Sequence, residues 1–286
     1  MNKEKLPEYI HFTKMHGLGN DFMVIDAVTQ DFEPSVMQIQ TWADRNFGIG
    51  FDQLLLIEPP VTPDVDFRYR IFNADGSEVE HCGNGARCFA QFVRDKGLTH
   101  KDVIKVAVAS GIIQLVLQDD DQVSVDMGPP MLEPKSIPYL SDVKQDIYKL
   151  QLDGTDETLS MGLVSMGNPH AVIQVKDIGS APVRTLGPLV QNHPNFPEQC
   201  NVGFMQVHSR SEISLRVYER GVGETLACGT GACAAVVAGR IQGVLGANVS
   251  VRLPGGTLDV RWDGKHSVLM TGPATTVFEG QIEWIK

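Results

Sequence analysis

Two stretches of this chain are versions of each other. FNADGSEVEHCGNGARCFA (72–90) and YERGVGETLACGTGACAAV (218–236) share a C-G-x-G-A core, with Cys82 and Cys228 at an offset of 146 (228 − 82) and Glu78 opposite Glu224. Two further pairs keep almost the same spacing. Gly19-Asn20-Asp21-Phe22 leads into Met23-Val24-Ile25 as Gly167-Asn168-Pro169-His170 leads into Ala171-Val172-Ile173, and Gln53 precedes an apolar run as Asn201 does, both at an offset of 148 (168 − 20 and 201 − 53). Three collinear matches at nearly constant separation mark a duplication, so the chain must fold as two similar halves.

Each half of 286 residues is long enough to bury a core of its own. Alternating or continuous apolar runs predict strands over 11–15, 22–27, 53–57, 67–72, 103–109, 112–117 and 122–127. The second half repeats the style over 159–165, 171–175, 203–207, 213–218, 249–253, 257–262 and 267–270. One prominent helix is predicted per half, over 85–96 and 231–242, with shorter ones over 35–44 and 183–192. The helix at 231–242 is apolar all round apart from Arg240 and Gln242, which demands burial on every side. The expected class is therefore α+β: two homologous, pseudo-symmetric domains, each a curved β-sheet wrapped around a central buried helix. Gly128-Pro129-Pro130 is the natural boundary. The expected domains are 1–128 with 273–286, and 129–272, with the active site in the cleft between them.

With 24 basic against 35 acidic residues the net charge is -11, which disfavours a nucleic-acid partner. No apolar run reaches the roughly 18 residues of a membrane helix, and MNKEKLPEYIHF lacks the apolar core of a signal peptide. The expected address is cytoplasmic. Five cysteines, an odd number, argue against a disulfide framework in a reducing compartment. No C-x-x-C occurs and no paired histidines accompany the cysteines; His81-Cys82 with Cys88 is at most a partial metal site, and no metal is expected. Cys88 and Cys233 fall inside the predicted helices as packing residues, and Cys200 is a bystander beside Asn201.

Cys82 and Cys228 differ from these. Each stands before Gly-x-Gly at the start of a helix, where glycine lets a ligand approach and first-turn N–H groups attract an anion. The same partial charge is expected to lower a thiol pKa from about 8.5 towards neutrality. If a pseudo-two-fold axis brings the two helix starts to one cleft, two thiols face each other with N–H donors converging between them. Inverting a carbon stereocentre needs that device. One group removes the α-proton from one face, its partner delivers a proton to the other, and the donors stabilise the enediolate formed on the way. No P-loop or Rossmann fingerprint is present and no cofactor is expected.

The blocks carrying this pattern resemble those of the diaminopimelate epimerase family, in that family's order: Gly-Asn-Asp-Phe (19–22), Phe-Asp-Gln (51–53), Phe-Asn-Ala-Asp-Gly-Ser-Glu (72–78), Cys-Gly-Asn-Gly-Ala-Arg (82–87), Gly-Asn-Pro-His (167–170), Cys-Asn-Val-Gly (200–203), Tyr-Glu-Arg-Gly-Val-Gly-Glu-Thr (218–225) and Ala-Cys-Gly-Thr-Gly-Ala (227–232). They span nearly the whole chain. The resemblance implies interconversion of LL- and meso-2,6-diaminopimelate without a cofactor, in a homodimer. It makes Cys82 and Cys228 the acid/base thiols, assisted by His170 and Glu219 respectively. It carries substrate recognition onto Asn20, Gln53, Asn73, Asn168, Asn201, Glu219 and Arg220, with the loop donors Gly83, Asn84, Gly229 and Thr230. In the duplication His170 aligns with Phe22 and Glu219 with Asn73, so the two helpers break the symmetry. A tyrosine that the family often carries at its dimer contact is matched here by Phe278.

Other functions fit parts of the pattern. A cofactor-free racemase of proline or another amino acid uses the same chemistry, though with different blocks around its cysteines. A redox module would use Cys82 and Cys228 as a switchable disulfide. Taken alone, Glu219-Arg220 reads equally well as a surface ion pair, and the asparagines as turn residues.

Overall fold

In the computed structural model, which describes residues 8–79, 82–109, 111–152 and 158–284, the chain forms two units, Met1–Val125 with Pro273–Lys286, and Asp126–Gly272. The first holds β1 (Glu8–Gly17), β2 (Asn20–Asp26), α1 (Val36–Ala43), β3 (Gln53–Glu58), β4 (Phe67–Asn73), β5 (Glu78–Val79), α2 (Gly83–Asp95), β6 (Val103–Val108), β7 (Gly111–Leu117) and β8 (Gln122–Asp126). After a short 3₁₀ turn (Pro134–Ser136) the second holds β9 (Tyr148–Gln151), β10 (Thr158–Ser165), β11 (Pro169–Gln174), α3 (Val183–Gln191), β12 (Asn201–Ser209), β13 (Glu212–Glu219), β14 (Gly223–Thr225), α4 (Gly229–Ile241), β15 (Asn248–Leu253), β16 (Gly256–Arg261) and β17 (Leu269–Pro273). A last strand, β18 (Thr275–Trp284), pairs antiparallel with β1.

The duplication extends to strand pairing. In the first unit β1–β2 is antiparallel, β2–β3 parallel, β3–β4–β5 antiparallel, β4–β6 parallel and β6–β7–β8 antiparallel. The second unit repeats this with β10–β11, β11–β12, β12–β13–β14, β13–β15 and β15–β16–β17. Even the register is shared: Phe22 faces Gln53 as His170 faces Asn201, and Phe72 faces Glu78 as Tyr218 faces Glu224. Only the outermost strand differs in origin. β9, just ahead of β10, flanks it, whereas β1 is flanked by β18 from the far end of the chain.

The central helices are built alike. Cys82 and Cys228 are their N-cap residues, both in extended backbone, and Gly97 and Gly243 close them. At each end the glycine has positive φ (66° and 75°). The Gly97 N–H donates to Arg94 O at 3.0 Å and Leu98 N–H to Val93 O at 2.9 Å; Gly243 and Val244 repeat both bonds onto Arg240 and Gly239. This Schellman arrangement satisfies carbonyls the helix end would otherwise leave open. Three glycines in α4 each cost about 1 kcal/mol relative to alanine, so its helicity comes from burial. Gly229 and every residue from Gly231 to Gly239 are buried. The sheet comes so close that a Cβ on Gly162 would lie 2.8 Å from the Ala238 Cβ. In the first unit Tyr69 stacks on Phe89 of α2 at 5.1 Å.

Patterning places the helix starts at 85 and 231; both helices begin two residues earlier. Cys82 ends the extended run, and its sulfur accepts from the Gly85 N–H at 3.5 Å, so the next residue is already helical and Gly-x-Gly forms the first turn. Strands β5, β9 and β14 escape prediction because two to four residues carry too little periodicity. Among the described residues no helix is long and apolar enough to cross a membrane.

Candidate active site

The residues singled out from sequence gather at equivalent ends of the two sheets. In the first unit, β2 begins at Asn20, β3 begins at Gln53, β4 ends at Asn73, and α2 begins after Cys82. Asn20 is the hub. Its Oδ1 accepts from Asn84 Nδ2 at 3.2 Å and from the Cys82 thiol at 3.7 Å. Beside it Gln53 donates to Asn73 Oδ1 at 3.0 Å, and Asn73 donates to Ser77 Oγ at 3.1 Å. Gly83 opens the helix, where first-turn N–H groups point out of the helix end.

In the second unit Asn168 immediately precedes β11, Asn201 opens β12, Glu219 closes β13, and α4 starts after Cys228 with Gly229 and Thr230. His170 is buried and bonds Asn168 Oδ1 through Nε2 at 2.9 Å; against the acceptor-only oxygen this nitrogen is the donor. Asn201 donates to Pro169 O at 3.1 Å and accepts the Arg220 backbone N–H at 2.9 Å, while the Arg220 guanidinium donates to Glu198 O at 3.0 Å. Glu219 faces the Cys228 sulfur and accepts the Thr225 hydroxyl. Glu219 is half-buried. Cys228 also contacts Thr230 Oγ1 at 3.7 Å.

Burial reverses one expectation. The Cys228 thiol is pushed well above its usual range, first by desolvation and next by the Glu219 carboxylate; the Thr230 hydroxyl and Gly231 N–H pull it down less strongly. The helix start therefore does not carry this thiol towards neutrality, because a charge beside a carboxylate in a dry site is opposed twice. His170 is held neutral, its pKa lowered to about 3 by burial and by the Arg220 charge. Cys88, inside α2, is pushed up to about 12, and Cys200 higher, both by burial. These two are protonated packing residues. Among the described residues no group of three or more His, Cys, Asp and Glu is placed to hold a metal ion; His81 lies outside them.

Some site members escape a reading by residue type. Asp52 receives Asn20 Nδ2 at 3.0 Å, and Thr225 holds Glu219. Arg70 clasps Glu78 at 2.9 Å, and Arg216 clasps Glu224 at 2.7 Å. The glutamates already align in the duplication; the arginines share the offset of 146 (216 − 70) and could have been found by it.

Comparison with known proteins gives a consistent result. A family model described as "Diaminopimelate epimerase" matches residues 12–133 and 162–277. A diaminopimelate epimerase from Thioalkalivibrio sulfidiphilus (strain HL-EbGR7) is 61% identical over 277 residues, covering 96% of this chain and 99% of that protein. Among solved structures, a hydroxyproline epimerase from Agrobacterium vitis with bound trans-4-hydroxy-L-proline superposes with a TM-score of 0.69 at 16% identity, covering 99% of this chain and 94% of that one. A phenazine biosynthesis protein of the PhzF family from Bacillus anthracis gives 0.68 at 16% identity, covering 96% and 99%. At such identity these structures establish the fold alone.

Proposed function

Because the chain belongs to the diaminopimelate epimerase family, we propose that Cys82 and Cys228 are the two acid/base groups of its reaction. That reaction interconverts LL- and meso-2,6-diaminopimelate, in the synthesis of lysine and peptidoglycan precursors. The observation carrying the assignment is that the two cysteines cap topologically equivalent helices. A duplicated scaffold offering one sulfur per half suits a carbon that must lose a proton on one face and gain one on the other.

In each direction a thiolate takes the α-proton and becomes a thiol, leaving its electron pair on the substrate as an enediolate. The opposite thiol then protonates the carbon from the other side and becomes a thiolate. Gly83, Asn84, Gly229 and Thr230 supply backbone donors to the developing oxyanion, each worth roughly 3 kcal/mol when removed singly. Burial and Glu219 keep Cys228 protonated at rest, so it starts as the acid. When it must serve as base, Glu219 receives its proton. His170, neutral at rest, assists Cys82 by orienting its thiol rather than by taking its proton. Asn20, Gln53, Asn73, Asn168, Asn201 and Arg220 recognise the substrate, Arg220 with the asparagines holding the distal amine and carboxylate, since arginine is the natural carboxylate clamp. The proposal extends to a cytoplasmic homodimer, which the family resemblance supports.

Solvent-deuterium exchange tests the chemistry. Incubation of LL-diaminopimelate in D2O should place one deuterium at the inverted carbon of each product molecule. A cysteine-based redox module would place none. Proline and lysine as control substrates separate this activity from a racemase of another amino acid.

A further inference from the structure

We infer that Asp52 is a positioning residue for Cys82, acting by fixing which way the Asn20 side-chain amide points. The inference rests on the assignment of Cys82 made above. Asn20 opens β2 and Asp52 immediately precedes β3; these strands run parallel with Phe22 opposite Gln53, which brings the two side chains together at the strand ends. Asp52 Oδ2 accepts from Asn20 Nδ2 at 3.0 Å and from the Asp21 N–H at 3.1 Å. A carboxylate only accepts, so the nitrogen of the Asn20 amide must face it. The oxygen then points the other way, towards Asn84 Nδ2 at 3.2 Å and the Cys82 thiol at 3.7 Å. A flipped amide would set its NH2 against the Asn84 NH2 and its oxygen against a carboxylate. Both contacts would be lost.

Asp52 is itself held in place. Its N–H donates to Asp21 O at 3.0 Å and to Asp21 Oδ1 at 2.9 Å. Arg45 bonds both oxygens of Asp21, at 3.0 and 2.7 Å, and reaches Asp52 Oδ1 at 2.8 Å. Lys14, nearly buried, reaches Asp21 at 2.6 Å and also donates to Gly50 O. Arg45 is 56% and Asp52 45% exposed, so their ionic contact is worth little. The Asn20 bond, rather than the charge, is the functional part. The second half lacks the device: Asp21, Arg45 and Asp52 are matched at the 148-residue offset by Pro169, His193 and Cys200. The oxygen of its asparagine, Asn168, goes to His170 instead. Amide orientation by a carboxylate is thus specific to the Cys82 side.

The test is steady-state kinetics on LL-diaminopimelate with Asp52→Ala, Asp52→Asn, Arg45→Ala, Asn20→Ala and the Asn20→Ala/Asp52→Ala double variant, with Cys82→Ala alongside. Asp52→Ala should lower kcat on the order of tenfold, the worth of one hydrogen bond to a charged group. Asp52→Asn should restore it to within about twofold, since an amide oxygen still accepts from Asn20. Arg45→Ala, which loosens the hold on Asp52 but leaves its bond to Asn20, should lower kcat less than Asp52→Ala does. In the Asn20→Ala background Asp52→Ala should have no further effect, because the side chain it orients is gone. If Asp52→Ala does not fold, Asp52→Ser, too short to reach Asn20, takes its place. Wild-type kcat in Asp52→Ala, a loss in Asp52→Asn as large as in Asp52→Ala, or an undiminished effect in the Asn20→Ala background each overturns the inference. An active Cys82→Ala would instead overturn the assignment of Cys82 itself, and this inference with it.

Discussion

Glu219, the last residue of β13, lies against the buried sulfur of Cys228, and Thr225 from the neighbouring β14 holds the same carboxylate with its hydroxyl. A carboxylate beside a desolvated thiol keeps the proton on sulfur. Replacing Glu219 by Gln removes the charge while retaining the shape, so the Cys228 pKa falls. The thiolate fraction, and with it the rate of alkylation by iodoacetamide, should rise about tenfold for every unit of that fall. Peptide mass spectrometry over a pH series measures it, and an unchanged Cys228 rate would show that burial alone sets the thiol. Epimerisation should slow in the same variant, as the acceptor that recharges Cys228 is gone.

Cys82→Ala and Cys228→Ala should each abolish epimerisation while leaving the circular dichroism spectrum unchanged, because both cysteines cap helices whose stability comes from packing. Alanine at an N-cap costs about 1 kcal/mol, well within the stability of an ordinary domain. Full activity in either folded variant would falsify the two-base assignment.

His170 gives stability a defined acid limb. Its folded pKa of about 3 lies below the 6.5 of an unperturbed histidine. Between those values the unfolded chain binds a proton that the folded chain refuses, so stability falls as pH falls through this window and is unaffected above it. The slope from this residue is about 1.4 kcal/mol per pH unit. Urea unfolding between about pH 6 and pH 4 should show that slope flattened by about the same amount in His170→Gln. Identical slopes would mean that the imidazole accepts its proton without unfolding.

Gly162 of β10 lies close against α4, with a new Cβ placed 2.8 Å from the Ala238 Cβ. Gly162→Ala should destabilise by about 1–3 kcal/mol through overpacking. Adding Ala238→Gly removes the opposing methyl group, and although glycine there costs about 1 kcal/mol of helix propensity, the pair should be more stable than the sum of the single changes predicts. Strict additivity in thermal or urea melts would place the strain elsewhere.

How much of this is legible in the chain depends on whether the signal is repeated. The duplication exposes Cys82 and Cys228 together, sets Asn20 against Asn168 and Gln53 against Asn201, and marks His170 and Glu219 as departures from symmetry. Helix starts are misplaced by two residues because Gly-x-Gly reads as loop by composition, and only the cysteine N-cap geometry reveals a first helical turn. Asp52 escapes notice for a similar reason. Nothing local to Phe51-Asp52-Gln53 shows that Asn20, the first residue of a parallel neighbouring strand, will lie at 3.0 Å.

The order of residues by itself determined the two-fold plan of the fold, the pair of thiols placed before Gly-x-Gly and the family. Those follow from short patterns at fixed spacing, and a duplication preserves spacing. Protonation was decided by the tertiary structure: the proton stays on Cys228 and off His170 because neighbours distant in sequence remove water from both and set Glu219 and Arg220 beside them. A charge responds to whatever surrounds it in three dimensions, and a one-dimensional motif carries no account of that surrounding.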